Sequence, residues 1–308
     1  MNAAVRAVVR AGVYYKLELV GIKRGYQGII ENDFHEMNAR SVSNIIQRGG
    51  TILKSARSDD FRTEDGRRKA HQNLKDAEID AIVAIGGDGT FTGAKVFYEE
   101  FGFPIVGIPG TIDNDLTGTD YTLGYDTATN TALRAIDAIK DTASSHSRLF
   151  FVEVMGRDTG FIALRTAVSG GAEAAMLPEK MMTIDELIDT LNEGSNNAKT
   201  SSVVIVAEGN PNGSATEIAY KVGQKDKKYS SKVTILGHTQ RGGTPSCYDR
   251  LLASKLGVWA IEALMKGKKD VMVGDVGGEL TFTPFKDAIE AQRKFDEELF
   301  RISKILAI

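Results

Sequence analysis

A chain of 308 residues is long enough for two domains with cores of their own, or for one large α/β unit. Its 38 basic and 41 acidic side chains leave a formal net charge of −3, so no global field draws it to nucleic acid or to a membrane surface. An anionic small molecule must instead be held by a local cluster of basic groups. A single cysteine, Cys247, excludes an internal disulfide and suits a reducing compartment, and four histidines show no zinc spacing. With no signal-peptide pattern and no apolar run of membrane-spanning length, the cytoplasm is the expected location.

The apolar positions Val5, Val8, Val9 and Val13 predict an amphipathic helix over 2–15, followed by a short strand over 17–22. Five further apolar runs have strand length: 81–85, 104–108, 149–154, 203–206 and 233–236. Each ends in glycine or a polar turn, and helical spacing follows over 91–100, 126–142, 161–169 and 247–266. Thr183 and Glu186 have capping-box spacing, which starts a helix running toward Asn192 and ending in 193–197. Strands that are apolar nearly throughout and alternate with helices predict an α/β fold with mostly parallel sheets covered on both faces. Ligands of such sheets sit beyond the carboxyl ends of the strands, where the glycine-rich and charged segments fall, so these segments are expected to share one cleft.

Three groups of residues carry the chemistry. Gly86-Gly87-Asp88-Gly89-Thr90 takes a strand end into a helix; successive glycines let backbone N–H groups close on phosphate oxygens, and Asp88 can hold Mg²⁺. A tight turn with an Asp cap is the plainer alternative. Pro109-Gly110-Thr111-Ile112-Asp113-Asn114-Asp115 places two carboxylates around an Asn at the next strand end, as phosphoryl transfer needs for a base and for metal. The third group is cationic and polar: Arg148, Met155-Gly156-Arg157, Glu208 and the stretch 237–243 with His238 and Arg241. Arginine offers a planar fork for phosphate, while Glu and His read sugar hydroxyls.

Together with Ser55-Ala56-Arg57, these segments resemble, in order and spacing, the bacterial type of ATP-dependent 6-phosphofructokinase, and the similarity runs over essentially the whole chain. The resemblance implies two similar three-layer α/β domains. It implies a larger nucleotide-binding domain at 1–124 plus 239–287, and a smaller sugar-phosphate and effector domain at 125–238 plus 288–308. It also implies transfer of the γ-phosphoryl of ATP to the 1-hydroxyl of fructose 6-phosphate. Asp113 then matches the base, with Thr111 and Asp115 beside it. Asp88 matches the Mg²⁺ carboxylate, Gly87, Gly89 and Thr90 the ATP phosphate cradle, and Arg57 the cation bridging nucleotide and transferred group. Met155, Gly156, Arg157, Glu208, His238 and Arg241 match sugar-phosphate contacts, Arg157 also with a catalytic part. Arg148 matches a contact reaching from a neighbouring subunit, which implies a homo-oligomer, usually a tetramer. Arg6 and Arg10, i and i+4 on the first helix, match part of a site for an ADP or phosphoenolpyruvate effector, with Lys140 and Glu173; a solvated helix face is the alternative.

Two departures stand out. Lys232 lies where many members carry a second cross-subunit arginine. The family also has a strand and a Gly-Gly-Asp-x-Pro-Gly loop before the helix that here starts at Met1, so residues 1–308 alone are expected to be poorly stable and feebly active. A diphosphate-dependent phosphofructokinase is the nearest alternative, but that branch usually carries Asp at the place of Gly89 and Lys at the place of Gly110. A diacylglycerol- or NAD-kinase-like enzyme would share only the glycine loop. A phosphosugar-binding relative without turnover is the non-enzymatic alternative.

Overall fold

The computed structural model describes residues 1–144, 149–196, 202–229 and 231–307. Helix α1 (Asn2–Tyr14) leads to strand β1 (Val20–Ile22), helix α2 (Tyr26–Ile30) and strand β2 (Phe34–Glu36). Helix α3 (Glu64–Asp76), β3 (Ile82–Gly86), α4 (Asp88–Phe101) and β4 (Ile105–Pro109) follow. The middle of the chain forms α5 (Tyr125–Ser144), β5 (Leu149–Val154), α6 (Phe161–Ser169), β6 (Ala174–Met176), α7 (Ile184–Asn196), β7 (Ser202–Ala207), α8 (Ala215–Lys225) and β8 (Ser231–Ile235). After a 3₁₀ turn (Gly237–Arg241) come α9 (Cys247–Met265), β9 (Val271–Val276), β10 (Glu279–Pro284), α10 (Phe285–Glu290) and α11 (Glu297–Leu306).

The chain forms two units. The first comprises Met1–Thr111, Asp115–Gly124 and Thr244–Arg293. Its main sheet has the order β10-β9-β4-β3, with β3, β4 and β9 parallel and β10 antiparallel to β9. Successive side chains of a strand point to opposite faces. Ile105 on β4 therefore joins a core with Leu74, Phe91, Phe97 and Phe285, while Val106 and Ile108 join another with Leu252, Leu256, Val273 and Ala4 of α1. The Val276–Glu279 pairing leaves Gly277 and Gly278 as a two-residue hairpin turn, with φ of 60° and 90° that side-chain-bearing residues avoid.

The second unit comprises Ile112–Asn114, Tyr125–Gly243 and Lys294–Ile308. Its sheet is wholly parallel, in the order β6-β7-β5-β8. Helices α7 and α8 cover one face through Leu187, Leu191, Ile218 and Val222 against Phe151, Val204 and Val206; α5 and α6 pack on the other. Val203, Val204, Ile205 and Val206 are buried in succession, and each such side chain gains about 1.5–3 kcal/mol over exposure. That run takes an interior position, while β8 takes the edge and leaves Ile235 56% exposed.

The strands at 149–154 and the helix at 161–169 have the bounds their sequence predicts. The strand expected over 17–22 shortens to Val20–Ile22, because Lys16 turns left-handed at φ 62° and the Leu17 N–H donates to Gly12 O, closing α1. The helix expected from 91 starts at Asp88, so the glycine loop is itself the first helical turn. The helix expected to end in 193–197 runs to Asn196, and its capping box forms: Thr183 N donates to Glu186 Oε2 at 2.7 Å, and Glu186 N to Thr183 Oγ1 at 3.2 Å.

Candidate active site

In the first unit, β3 and β4 end side by side, with Gly86 opposite Pro109 and Gly110 N donating to Gly86 O at 2.8 Å. Gly87 is the N-cap of α4 and brings no side chain of its own to cap it; Asp88, Gly89 and Thr90 make the first turn. Such a helix start carries positive potential and suits a phosphate. A Cβ on Gly87 would lie 3.3 Å from Thr111 Cβ, so this glycine lets the loop after β4 rest against the first turn of α4. At Gly89 a Cβ would meet nothing within 4 Å, and the turn faces open space there. Thr111 O accepts from Thr122 Oγ1 at 2.7 Å, which ties the end of this loop down.

Sequence reasoning missed Tyr26. Its hydroxyl donates to Thr90 O, and its ring stacks on Phe61 with centroids 4.0 Å apart and planes within 8°. Burial raises the Tyr26 phenol well above its ordinary pKa, which keeps the proton on that donor. Ser58 donates to Gln27 Oε1 at 2.7 Å and accepts from Phe61 N at 3.2 Å. The exposed Arg57 therefore precedes a segment fastened to α2, and α2 in turn is fastened to the first turn of α4. No sequence signal marks Tyr26, since its partner lies 64 residues away.

In the second unit the cationic and polar residues gather at the carboxyl ends of β5, β7 and β8. Gly156 and Arg157 both have positive φ, 148° and 53°, and their N–H groups donate to Glu208 Oε1 at 3.1 and 2.6 Å. Met155 N donates to Gln240 Oε1 at 3.3 Å; Gln240 is buried in the 3₁₀ turn, while His238 and Arg241 of the same turn are exposed. Asp113 and Asn114 are buried, at 6% and 4% exposure, and Asp113 O accepts from Thr159 Oγ1 at 3.3 Å. Glu179, also missed, accepts from Gly160 N at 2.8 Å and holds the start of α6. The first unit thus has an open helix start suited to a phosphate, and the second has a polar and cationic cluster at its strand ends.

Residues 1–264 match the phosphofructokinase family. The chain belongs to that family. It is 52% identical over 306 residues to the ATP-dependent 6-phosphofructokinase of Cytophaga hutchinsonii, covering 99% of this chain and 93% of that protein. It is 51% identical to the ATP-dependent 6-phosphofructokinase 1 of Thermus thermophilus, over all of this chain and 95% of that one. The solved phosphofructokinase of Saccharomyces cerevisiae superposes with a TM-score of 0.90 at 33% identity, over all of this chain and 46% of that longer one. The phosphofructokinase fold and a phosphotransferase class follow.

The structure also describes others of the residues that the family resemblance singled out. Arg6 and Arg10 of α1, with Tyr14, Tyr15, Ser254 and Val258, line an open cavity of about 330 Å³ in the first unit. Lys140 Nζ donates to Gly170 O and Gly171 O at 2.8 and 2.9 Å, capping α6. Glu173 is 7% exposed and accepts from Val203 N at 2.5 Å. Lys232 is exposed on β8, opposite Phe150. Arg148 lies outside the described residues. Among the described residues no helix is long and apolar enough to cross a membrane.

Proposed function

We propose that the chain is an ATP-dependent 6-phosphofructokinase, moving the γ-phosphoryl of ATP to the 1-hydroxyl of fructose 6-phosphate. The observation that carries this reading is 51–52% identity, over nearly the full length of both chains, to relatives named for that activity. Asp113 takes the proton of the 1-hydroxyl as the phosphoryl group arrives, with Thr111 and Asp115 beside it. The first turn of α4, through Gly87, Gly89 and Thr90, receives the nucleotide phosphates, and Arg57 offsets the charge that develops between the phosphates. Met155, Gly156, Arg157, Glu208, His238 and Arg241 hold the sugar phosphate; Glu208 spends Oε1 on the Arg157 turn, and we assign Oε2 to a sugar hydroxyl. The first unit is thus the nucleotide domain and the second the sugar-phosphate domain.

Mg²⁺ fits Asp88 as an ion shared with the nucleotide. Among the described residues no three His, Cys, Asp or Glu side chains converge to hold a metal unaided, and Mg²⁺ is commonly bound by one or two carboxylates plus substrate phosphates. When bound, it neutralises phosphate oxygens. Lys232 on its exposed edge strand and Arg148 are assigned to the sugar phosphate of a neighbouring subunit in a cytoplasmic homotetramer. The cavity at Arg6 and Arg10 suits an effector such as ADP or phosphoenolpyruvate. The test is turnover of fructose 6-phosphate with ATP and, separately, with diphosphate. Activity with ATP alone is expected; activity with diphosphate alone, or with neither, overturns the reading.

A further inference from the structure

Gly209 stands just past the end of β7, next to Glu208. A Cβ built on it would lie 2.3 Å from the Arg157 carbonyl oxygen and 3.2 Å from Asp158 Cα. Both are backbone atoms, which cannot swing aside as the tip of a side chain can. Gly209 does not have a positive φ, so what it requires is room rather than conformational freedom. Two consecutive residues therefore grip one turn: Glu208 accepts from its Gly156 and Arg157 N–H groups, and Gly209 lies directly against its carbonyl. Elsewhere the turn is already fastened, with Thr159 N and Oγ1 each 2.9 Å from Gly156 O, and Gly160 N bonded to Glu179. With those ends held, bulk at position 209 is relieved by moving the Arg157 backbone itself.

We propose that Gly209 is a positioning residue for the sugar-phosphate half-site: its missing side chain lets β7 seat the left-handed turn that aims Arg157. The proposal rests on the reading that Arg157 holds the sugar phosphate. Misplacement by 1 Å can cost up to about 10²-fold, so Gly209→Ala is expected to raise KM for fructose 6-phosphate about 10-fold or more. KM for ATP should stay near wild type. Gly223→Ala, on α8 where a Cβ meets nothing within 4 Å, is the control. Arg157→Ala alone should also raise KM for the sugar phosphate about 10-fold or more, and adding Gly209→Ala to it should change KM less than about 2-fold, because the aimed group is gone.

An unchanged KM in Gly209→Ala, or the same added factor in both backgrounds, overturns the proposal. A lowered melting temperature with KM retained does so too, since Gly209 would then be a packing residue. An unchanged KM in Arg157→Ala removes the underlying reading and the proposal with it. Should Gly209→Ala not be recovered folded, Thr159→Val loosens the same turn without adding bulk. It should raise KM for fructose 6-phosphate, with Thr159→Ser close to wild type; an unchanged KM in Thr159→Val overturns the proposal.

Discussion

Replacing Gly89 with Asp separates the fold from the function of the first turn of α4. Gly89 is exposed, and a Cβ built there meets no group from elsewhere in the chain within 4 Å, so the substitution carries little packing cost. Gly89 is the second residue of a helix that begins at Asp88, where an added carboxylate meets the positive end of the helix dipole. That interaction is worth about 0.3–1 kcal/mol, and removing a helical glycine contributes in the same direction. In a chain of this size such a gain raises the melting temperature by about 1–3 °C. A nucleotide phosphate on the same turn would meet the new carboxylate at about 5 Å, which at an effective dielectric of about 20 costs about 3 kcal/mol, or about 10²-fold in kcat/KM for ATP. Stability should therefore rise while ATP use collapses. The assay is a thermal melt beside ATP-dependent turnover at saturating fructose 6-phosphate. A raised melting temperature with unchanged kcat/KM for ATP would refute the placement of the phosphates.

Asp113→Ser should lower kcat at least ~10²-fold, the low end for general acid–base catalysis, with substrate KM much less affected; near-normal kcat in steady-state assays removes Asp113 as the base. Asp270 has a buried Oδ1 with no hydrogen-bond partner, and burial, then Glu99, raises its carboxyl above the ordinary value while Lys95 opposes them. The folded state thus binds the proton more tightly than the unfolded one, so Asp270 costs no stability below the ordinary carboxylate pKa of 3.8, and the cost grows as pH rises through the folded value. Asp270→Asn should accordingly melt higher than wild type at pH 8, with the difference vanishing near pH 4; equal melting curves at both values refute this. Arg10→Ala should weaken any response of fructose 6-phosphate saturation to ADP or phosphoenolpyruvate and leave kcat without effector unchanged. Saturation curves that keep their full effector response would assign that cavity to solvent.

Elements set by neighbouring residues are legible in the sequence alone. The apolar run of β5 and the helical spacing of α6 mark their own ends, and the Thr183–Glu186 pair starts α7, because side-chain period and capping act over three or four residues. The glycine loop and the Asp113 segment stand out in the sequence for the same reason: backbone that can close on a phosphate, and paired carboxylates, need particular residue types in immediate succession. The antiparallel strand β10 and its two-glycine turn had a local signal too, in Gly277-Gly278, which sequence reasoning passed over. Strand order was of another kind, since β4 lies between β3 and a β9 that begins more than 160 residues later. What holds these turns was hidden as well. Tyr26 reaches Thr90 across 64 residues, and Gln240 reaches Met155 across 85. Gly209 matters through a carbonyl 52 residues before it in the chain. A residue whose role is to touch a distant backbone atom, or to leave room for one, carries no mark of that partner in its own neighbourhood. Only the packing of the sheets creates the meeting.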